Sequence, residues 1–261
     1  MTAFDDDTAA EPLGGGRYRV RFDHRWWVGR GPNGGYVAAT LVRAIRAEVG
    51  AERALRSLTV HYVRAPVEGE AEVEVRVERA GRSLTTVSVR GEQDGATFAL
   101  AVAALATDYS SRVELAHAEM PDVRPPEEVP VPSAEGFDPP PFSRNFELRP
   151  ALGPVPFSGR PPALTGGWIR LREERPLDDA LLAALCDSWW PAAFAVVREP
   201  FWAPTVDLTV HLRAPLPRPH DDVLVEARTG TARDGFLEED VRIFARDGTL
   251  LAQSRQLALA L

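Results

Sequence analysis

Cys186 stands directly before Asp187 in Leu185-Cys186-Asp187-Ser188 and is the only cysteine in the chain. A thiol becomes a nucleophile when a neighbouring cation or histidine lowers its pKa. None is evident beside Cys186, which therefore reads as a small buried residue. All 30 basic residues are arginine, which reads as a coding bias rather than as selection for anion recognition. The absence of lysine excludes Schiff-base chemistry and a P-loop, and a single cysteine excludes an intramolecular disulfide or a cysteine-rich metal site. His61 and His211 invite a metal or base reading, but neither has the carboxylate–histidine spacing of a ligand set, and both read as structural strand residues. Asp23-His24 has the composition of a dyad; adjacent strand residues, however, face opposite sides.

With 261 residues and 44% hydrophobic content the chain can bury a sizeable core, as two domains or one duplicated one. Its net charge of −8 argues against a nucleic-acid partner. No apolar run approaches the roughly 20 residues of a membrane span. Met1 to Pro12 carries Asp5, Asp6 and Asp7 and lacks the basic and apolar regions of a signal peptide. The expectation is a soluble, cytoplasmic protein acting on a small molecule.

A repeat organises everything else. Leu58 to Pro66 reads L-T-V-H-Y-V-R-A-P and Leu208 to Pro215 reads L-T-V-H-L-R-A-P, an offset of 150 residues with one deletion. Each is followed by an alternating segment (Ala71 to Arg79, Val223 to Arg228) and then by an Asp-Gly hairpin signal, Asp94-Gly95 and Asp247-Gly248. Thirteen of the 23 prolines fall between Pro121 and Pro162, which marks a linker interrupted by one strand, Phe142 to Arg149. The expected domains are 1–110, a linker 111–140, and 141–261. Within each copy the order is strand, helix, four strands. Arg17 to Phe22 alternates, and a Gly-Pro-Asn-Gly-Gly turn precedes a helix from about Tyr36 to Val49 that is apolar almost all round and so buried. In the second copy Trp168 to Leu171 is the strand, and Asp178 or Asp179 caps a helix running through Leu185 and Cys186 towards Trp190, stopped by Pro191. A sheet wrapped on a buried helix, twice over, is an α+β double hot dog.

From about Arg17 to Leu261 the chain resembles the double-hot-dog acyl-CoA thioesterases of the thioesterase II family. The carriers are Pro32-Asn33-Gly34-Gly35-Tyr36, Leu58 to Pro66, Ala80-Gly81-Arg82-Ser83, Gly167-Trp168-Ile169-Arg170 and Thr205 to Pro215. The resemblance implies a catalytic Asp, Thr and Gln in the C-terminal copy: Asp187 on the second helix, Thr205 opening the next strand, and Gln256 on the last strand. Gln253 competes with Gln256, and the two must point to opposite faces of that strand. The loop between Asp187 and Thr205 is shorter than in the type member, which would reshape an acyl tunnel.

The chemistry suits those residue types. Thioester hydrolysis needs an activated water; a carboxylate can accept its proton while a hydroxyl and an amide fix its orientation. Backbone N–H groups at Gly34, Gly35 and Tyr36 are candidates for the oxyanion. No cofactor or metal is required. The first copy has Leu55 where Thr205 would lie and an apolar last strand (Phe98 to Leu105), which makes it scaffold and a wall of the coenzyme A site. Arg64 and Arg213, equivalent across the repeat, are candidates for coenzyme A phosphates, and Trp168, Trp189, Trp190 and Trp202 for the acyl tunnel or the core. The expected partner is an acyl-CoA substrate, with no nucleic acid and no membrane insertion, and a homo-oligomer of double hot dogs is compatible with the sequence. The alternatives are a non-catalytic acyl-CoA or lipid-binding module, and an enoyl-CoA hydratase acting through Asp23 and His24.

Overall fold

The computed structural model describes residues 2–133, 139–214 and 221–261. In chain order it contains α1 (Ala3–Asp7), β1 (Glu11–Gly14), β2 (Arg17–Phe22), β3 (Trp27–Val28), β4 (Gly31–Pro32), α2 (Gly34–Val49), β5 (Ala54–Tyr62), β6 (Gly69–Ala80), β7 (Leu84–Gln93) and β8 (Ala96–Ala106). The second half contributes β9 (Phe146–Leu152), β10 (Leu164–Leu171), α3 (Asp179–Leu185), β11 (Thr205–Leu212), β12 (Val223–Arg228), β13 (Ala232–Arg233), β14 (Phe236–Phe244) and β15 (Leu250–Leu259).

Local signals explain most of these boundaries. In β2 the arginines face out while Tyr18, Val20 and Phe22 are buried. Helix α2 starts two residues earlier than expected because Asn33 caps it, accepting from the Tyr36 N–H at 3.0 Å. Gly50, at φ +87°, ends it. Asp178 caps α3 by accepting from the Leu181 N–H at 2.8 Å. That helix ends at Leu185, sooner than expected, so Asp187 lies in the turn after it rather than on it. The Asp187 N–H still reaches back to the Ala184 carbonyl at 3.1 Å, a tightened last turn. The Asp94-Gly95 turn has both residues at positive φ, 51° and 74°, as a primed hairpin demands. The expected strand at Phe142 begins instead at Phe146, after a 3-10 turn over Pro141–Asn145.

The sheet runs β1-β2-β6-β7-β8-β5-β11-β15-β14-β12-β10-β9, with β13 added to β14, making 13 strands in all. The second half repeats the first in reverse order, so the expected half-sheets join edge to edge where β5 meets β11. Thr59 is paired with Thr209 there, and their hydroxyls lie 3.1 Å apart. These two threonines are related by the 150-residue offset, so a pseudo-two-fold axis passes between them. Joining the copies along these strands hides the edge each would otherwise present to other chains. Both helices sit in the concave face, antiparallel, with the start of α2 against the end of α3. At the far end Arg43 pairs with Asp178 and Arg46 with Asp179.

The linker covers the opposite face of the second half, where Trp168, Leu224 and Phe244 pack with Val129. The Trp168 indole donates to the Arg124 carbonyl at 2.8 Å. Trp168 is thus the anchor of the linker and not a tunnel residue. Pro215, the last residue of the repeat motif, falls outside the described residues.

Candidate active site

Asp187, Thr205 and Gln256 converge at the joint between α2, α3 and the last strands. The fourth member of the cluster, Glu239, is one the sequence reading passed over. Gln256 is buried whereas Gln253 is exposed, so Gln256 is the one that reaches this cluster. Thr205 Oγ1 donates to Gln256 Oε1 at 2.9 Å. Gln256 Nε2 donates to Glu239 Oε1 at 3.1 Å, and the same amide favours the Asp187 anion. Glu239 Oε2 accepts from the Ala192 N–H at 2.6 Å, tying β14 to the segment that follows α3.

Asp187 is held from the other copy. Its Oδ2 accepts from the Gly35 N–H at 2.9 Å and from Asn33 Nδ2 at 3.1 Å, and the nearby Gly34 N–H also favours the anion. Asn33 Nδ2 also takes the Asp187 carbonyl at 2.7 Å. A carboxylate at the N-terminus of the 16-residue α2 is favoured by the unpaired N–H groups there and by the helix dipole. Burial nevertheless outweighs these donors and raises the Asp187 carboxyl to about 6. Burial likewise raises Glu239 to about 7, with the Asp187 charge contributing.

This bears on the expected role of Gly34, Gly35 and Tyr36. The Tyr36 N–H is used by the Asn33 cap and the Gly35 N–H by Asp187, so these two are already engaged within the protein. It also changes the part played by the first copy, which supplies half of the carboxylate's surroundings in addition to a scaffold. The glycines are needed for close approach. A Cβ on Gly35 would lie 2.4 Å from the Ala184 carbonyl oxygen, and one on Gly34 would lie 2.9 Å from Asp187 Oδ2. Tyr62 closes this corner, its hydroxyl donating to the Gly34 carbonyl at 2.7 Å.

The remaining candidates are dispersed. Because β5 and β11 run antiparallel about the Thr59–Thr209 pair, Arg64 lies at the end of the sheet that holds Thr205, and Arg213 lies at the other end. Both are exposed, and the structure does not bring them together. Cys186 is buried and its thiol is pushed up to about 12 by burial, the state of an inert side chain. His61 and His211 are exposed on the outer side of the central strands. Asp23 caps a turn by accepting from the Arg25 N–H at 2.9 Å, while the His24 ring stacks on Trp27, so the two form no dyad. Trp189 is buried, bonding Thr165 Oγ1 at 2.8 Å, and packs against Trp190. Trp202 is exposed at 39% and lies over Gly29, where a Cβ would meet the indole at 1.7 Å.

Asn33 and Glu239 are the members of the cluster that the sequence reading missed in these places. For Glu239 a signal existed: in Phe236–Phe244 the inward phase is Leu237, Glu239, Val241, Ile243, a carboxylate in an otherwise apolar row. For Asn33 the cap was legible, but its reach to Asp187 spans 154 residues and has no local signature.

Comparison with known proteins agrees with this fold. Residues 23–107 match the model of the acyl-CoA thioesterase N-terminal domain, and residues 125–260 match that of the C-terminal domain. A hot-dog-fold protein of unknown function from Alicyclobacillus acidocaldarius superposes with a TM-score of 0.93 at 28% identity, over 100% of this chain and 98% of that one. A proposed thioesterase II from Thermobifida fusca YX gives 0.85 at 30% identity over the same shares. An acyl-CoA thioesterase II from Mycobacterium marinum gives 0.78 at 21% identity, over 99% of this chain and 98% of that one, a likeness of fold. Uncharacterized proteins of Mycobacterium bovis and Mycobacterium tuberculosis are 39% identical over 117 residues, which is 43% of this chain and 38% of theirs. The match therefore spans about two fifths of the length of these curated relatives. Both halves carry the family's domains in order over nearly the whole chain, and the chain belongs to the acyl-CoA thioesterase family.

Proposed function

We propose that the protein hydrolyses acyl-CoA thioesters to the free acid and coenzyme A, with Asp187 as general base. The observation that carries this reading is a carboxylate raised to about 6 whose anion is favoured by the Gln256 amide, an amide itself bonded to Thr205. A base that titrates just below neutral pH is ionised when needed and still basic enough to take a proton from water. In this reading Thr205 and Gln256 hold the water facing the thioester carbonyl. Asp187 accepts its proton as the oxygen adds to the carbonyl carbon. Collapse of the tetrahedral intermediate breaks the C–S bond and releases the coenzyme A thiolate, so no covalent enzyme intermediate is needed. Arg64, at the Thr205 end of the sheet, is the better placed of the two arginines for a coenzyme A phosphate.

The test is thiol release, followed with a chromogenic thiol reagent, from acyl-CoAs of short to long chain, wild type beside Asp187→Asn. Turnover by the wild type with a loss of about a hundredfold or more in the variant, the scale of a missing general base, supports the assignment. A wild type that turns over no member of the panel yet is stabilised by acyl-CoA would instead make the protein a binding module.

A further inference from the structure

We propose that Glu239 is a positioning residue which fixes the orientation of the Gln256 amide and so aims its N–H groups at Glu239 and Asp187 and its oxygen at Thr205. The proposal rests on the thioesterase reading for its kinetic consequence and on the hydrogen-bond geometry alone for its structural one.

An amide side chain has a donor end and an acceptor end that are nearly identical in shape, so packing cannot tell them apart; only the partners can. Thr205 is no guide, because a hydroxyl can donate or accept. Ionised Glu239 can only accept. It sits directly across from Gln256 in the β14–β15 register, is 3% exposed, and uses one oxygen for the Ala192 N–H at 2.6 Å and the other for Gln256 Nε2 at 3.1 Å. The Nε2 end must therefore face Glu239. Its second hydrogen is then free for Asp187, and Oε1 is left for the Thr205 hydroxyl at 2.9 Å. The opposite orientation would set Oε1 against the Glu239 carboxylate. The charged groups acting on Glu239 are Asp187, from the turn after α3, and Glu238 beside it on β14. Both are acidic, and both oppose its ionisation.

Glu239→Gln tests this because it keeps the shape and reverses one end of the bond. The Ala192 N–H still requires an acceptor, so the new amide turns its oxygen there and its NH2 towards Gln256. Gln256 must then flip, presenting its oxygen to position 239 and turning its N–H end away from Asp187. The chain has three glutamines, Gln93, Gln253 and Gln256, so selective 15N-glutamine labelling gives three side-chain NH2 pairs. Gln256→Ala identifies the relevant one. In the wild type that pair should shift with pH through a midpoint near 7, the point to which Glu239 is raised. In Glu239→Gln it should move to new positions and lose that midpoint. Kinetically Glu239→Gln should lower kcat at least about tenfold, with KM within about twofold and the melting temperature nearly unchanged.

A Gln256 amide in the wild type that ignores pH between 5 and 9, or a Glu239→Gln variant with wild-type kcat, would overturn the proposal. If the wild type turns over no thioester, the function falls, and the wild-type titration still decides whether Glu239 orients Gln256.

Discussion

Asp187 illustrates how competing environments set a side chain's chemistry. The Gly35 N–H and Asn33 Nδ2 bond its carboxylate, and the Gly34 N–H and the Gln256 amide also favour the anion, but burial opposes it and prevails, leaving the carboxyl at about 6. Only the ionised form can act as base, so kcat should fall as pH drops through about 6; a pH–rate profile between 5 and 8 checks this. The stability effect has the opposite sense. A carboxyl whose folded pKa lies above its unfolded value of 3.8 favours the folded state most in the protonated form, and this contribution is lost as pH rises through about 6. Asp187→Asn removes that buried charge and should therefore melt no lower than the wild type at pH 7.5, and a few degrees higher if the amide keeps the Gly35 bond, while activity collapses. Calorimetry and the thiol assay on the same preparation separate the two. Thr205→Val, which removes the hydroxyl while keeping the shape, should reduce kcat by about tenfold or more, as expected of a water-positioning group, with little change in fold.

At the scale of elements the site depends on how closely α2 approaches α3. Gly35 permits it, since any Cβ there would press on the Ala184 carbonyl at 2.4 Å. Gly35→Ala should destabilise the fold by about 1–3 kcal/mol, the usual cost of overpacking, measured by urea unfolding. It should also lower activity, because the Gly35 N–H that holds Asp187 moves with the helix. Asn33→Ala removes the cap of α2 and the bonds to Asp187 together. Loss of the cap alone costs about 1 kcal/mol, and a larger effect on kcat than on stability would show that the side chain's second duty is catalytic support. The Asp-Gly turns and the alternation of the strands were legible because they are set by residues within a few positions of one another. The end of α3 was not, because Asp187 is drawn off the helical path by Asn33, 154 residues away.

The whole molecule is a duplicated unit whose halves have diverged in sequence. The pseudo-two-fold axis between Thr59 and Thr209 generates two equivalent corners, and among the described residues only one holds the carboxylate, hydroxyl and amide. That corner draws Asp187, Thr205, Glu239 and Gln256 from the second half and Asn33, Gly34, Gly35 and Tyr62 from the first. We propose domain limits of 1–110 and 141–261 about the linker, and on them a chain restricted to 141–261 should lack thioesterase activity. It would expose the β11 edge and should aggregate or self-pair, which size-exclusion chromatography would show. Supplying 1–140 in trans should restore some activity if the β5–β11 edge re-forms.

The duplication, the two buried helices and the alternating strands could be read from the sequence, each carried by a local period, by a cap or turn residue, or by a motif repeated at a fixed offset. Asp187, Thr205 and Gln256 came forward only through the family resemblance. The repeat offset then showed that the first copy lacks these residue types at the matching places. It took the tertiary structure to show that the copies share one sheet, that Gly35 and Asn33 bond the carboxylate, that Arg64 and Arg213 lie at opposite ends, and that Glu239 joins the cluster. These depend on contacts between residues far apart in the chain. Hydrogen bonds at such contacts, and the burial that shifts a carboxyl to about 6, arise only once the sheet has closed around both helices and excluded water.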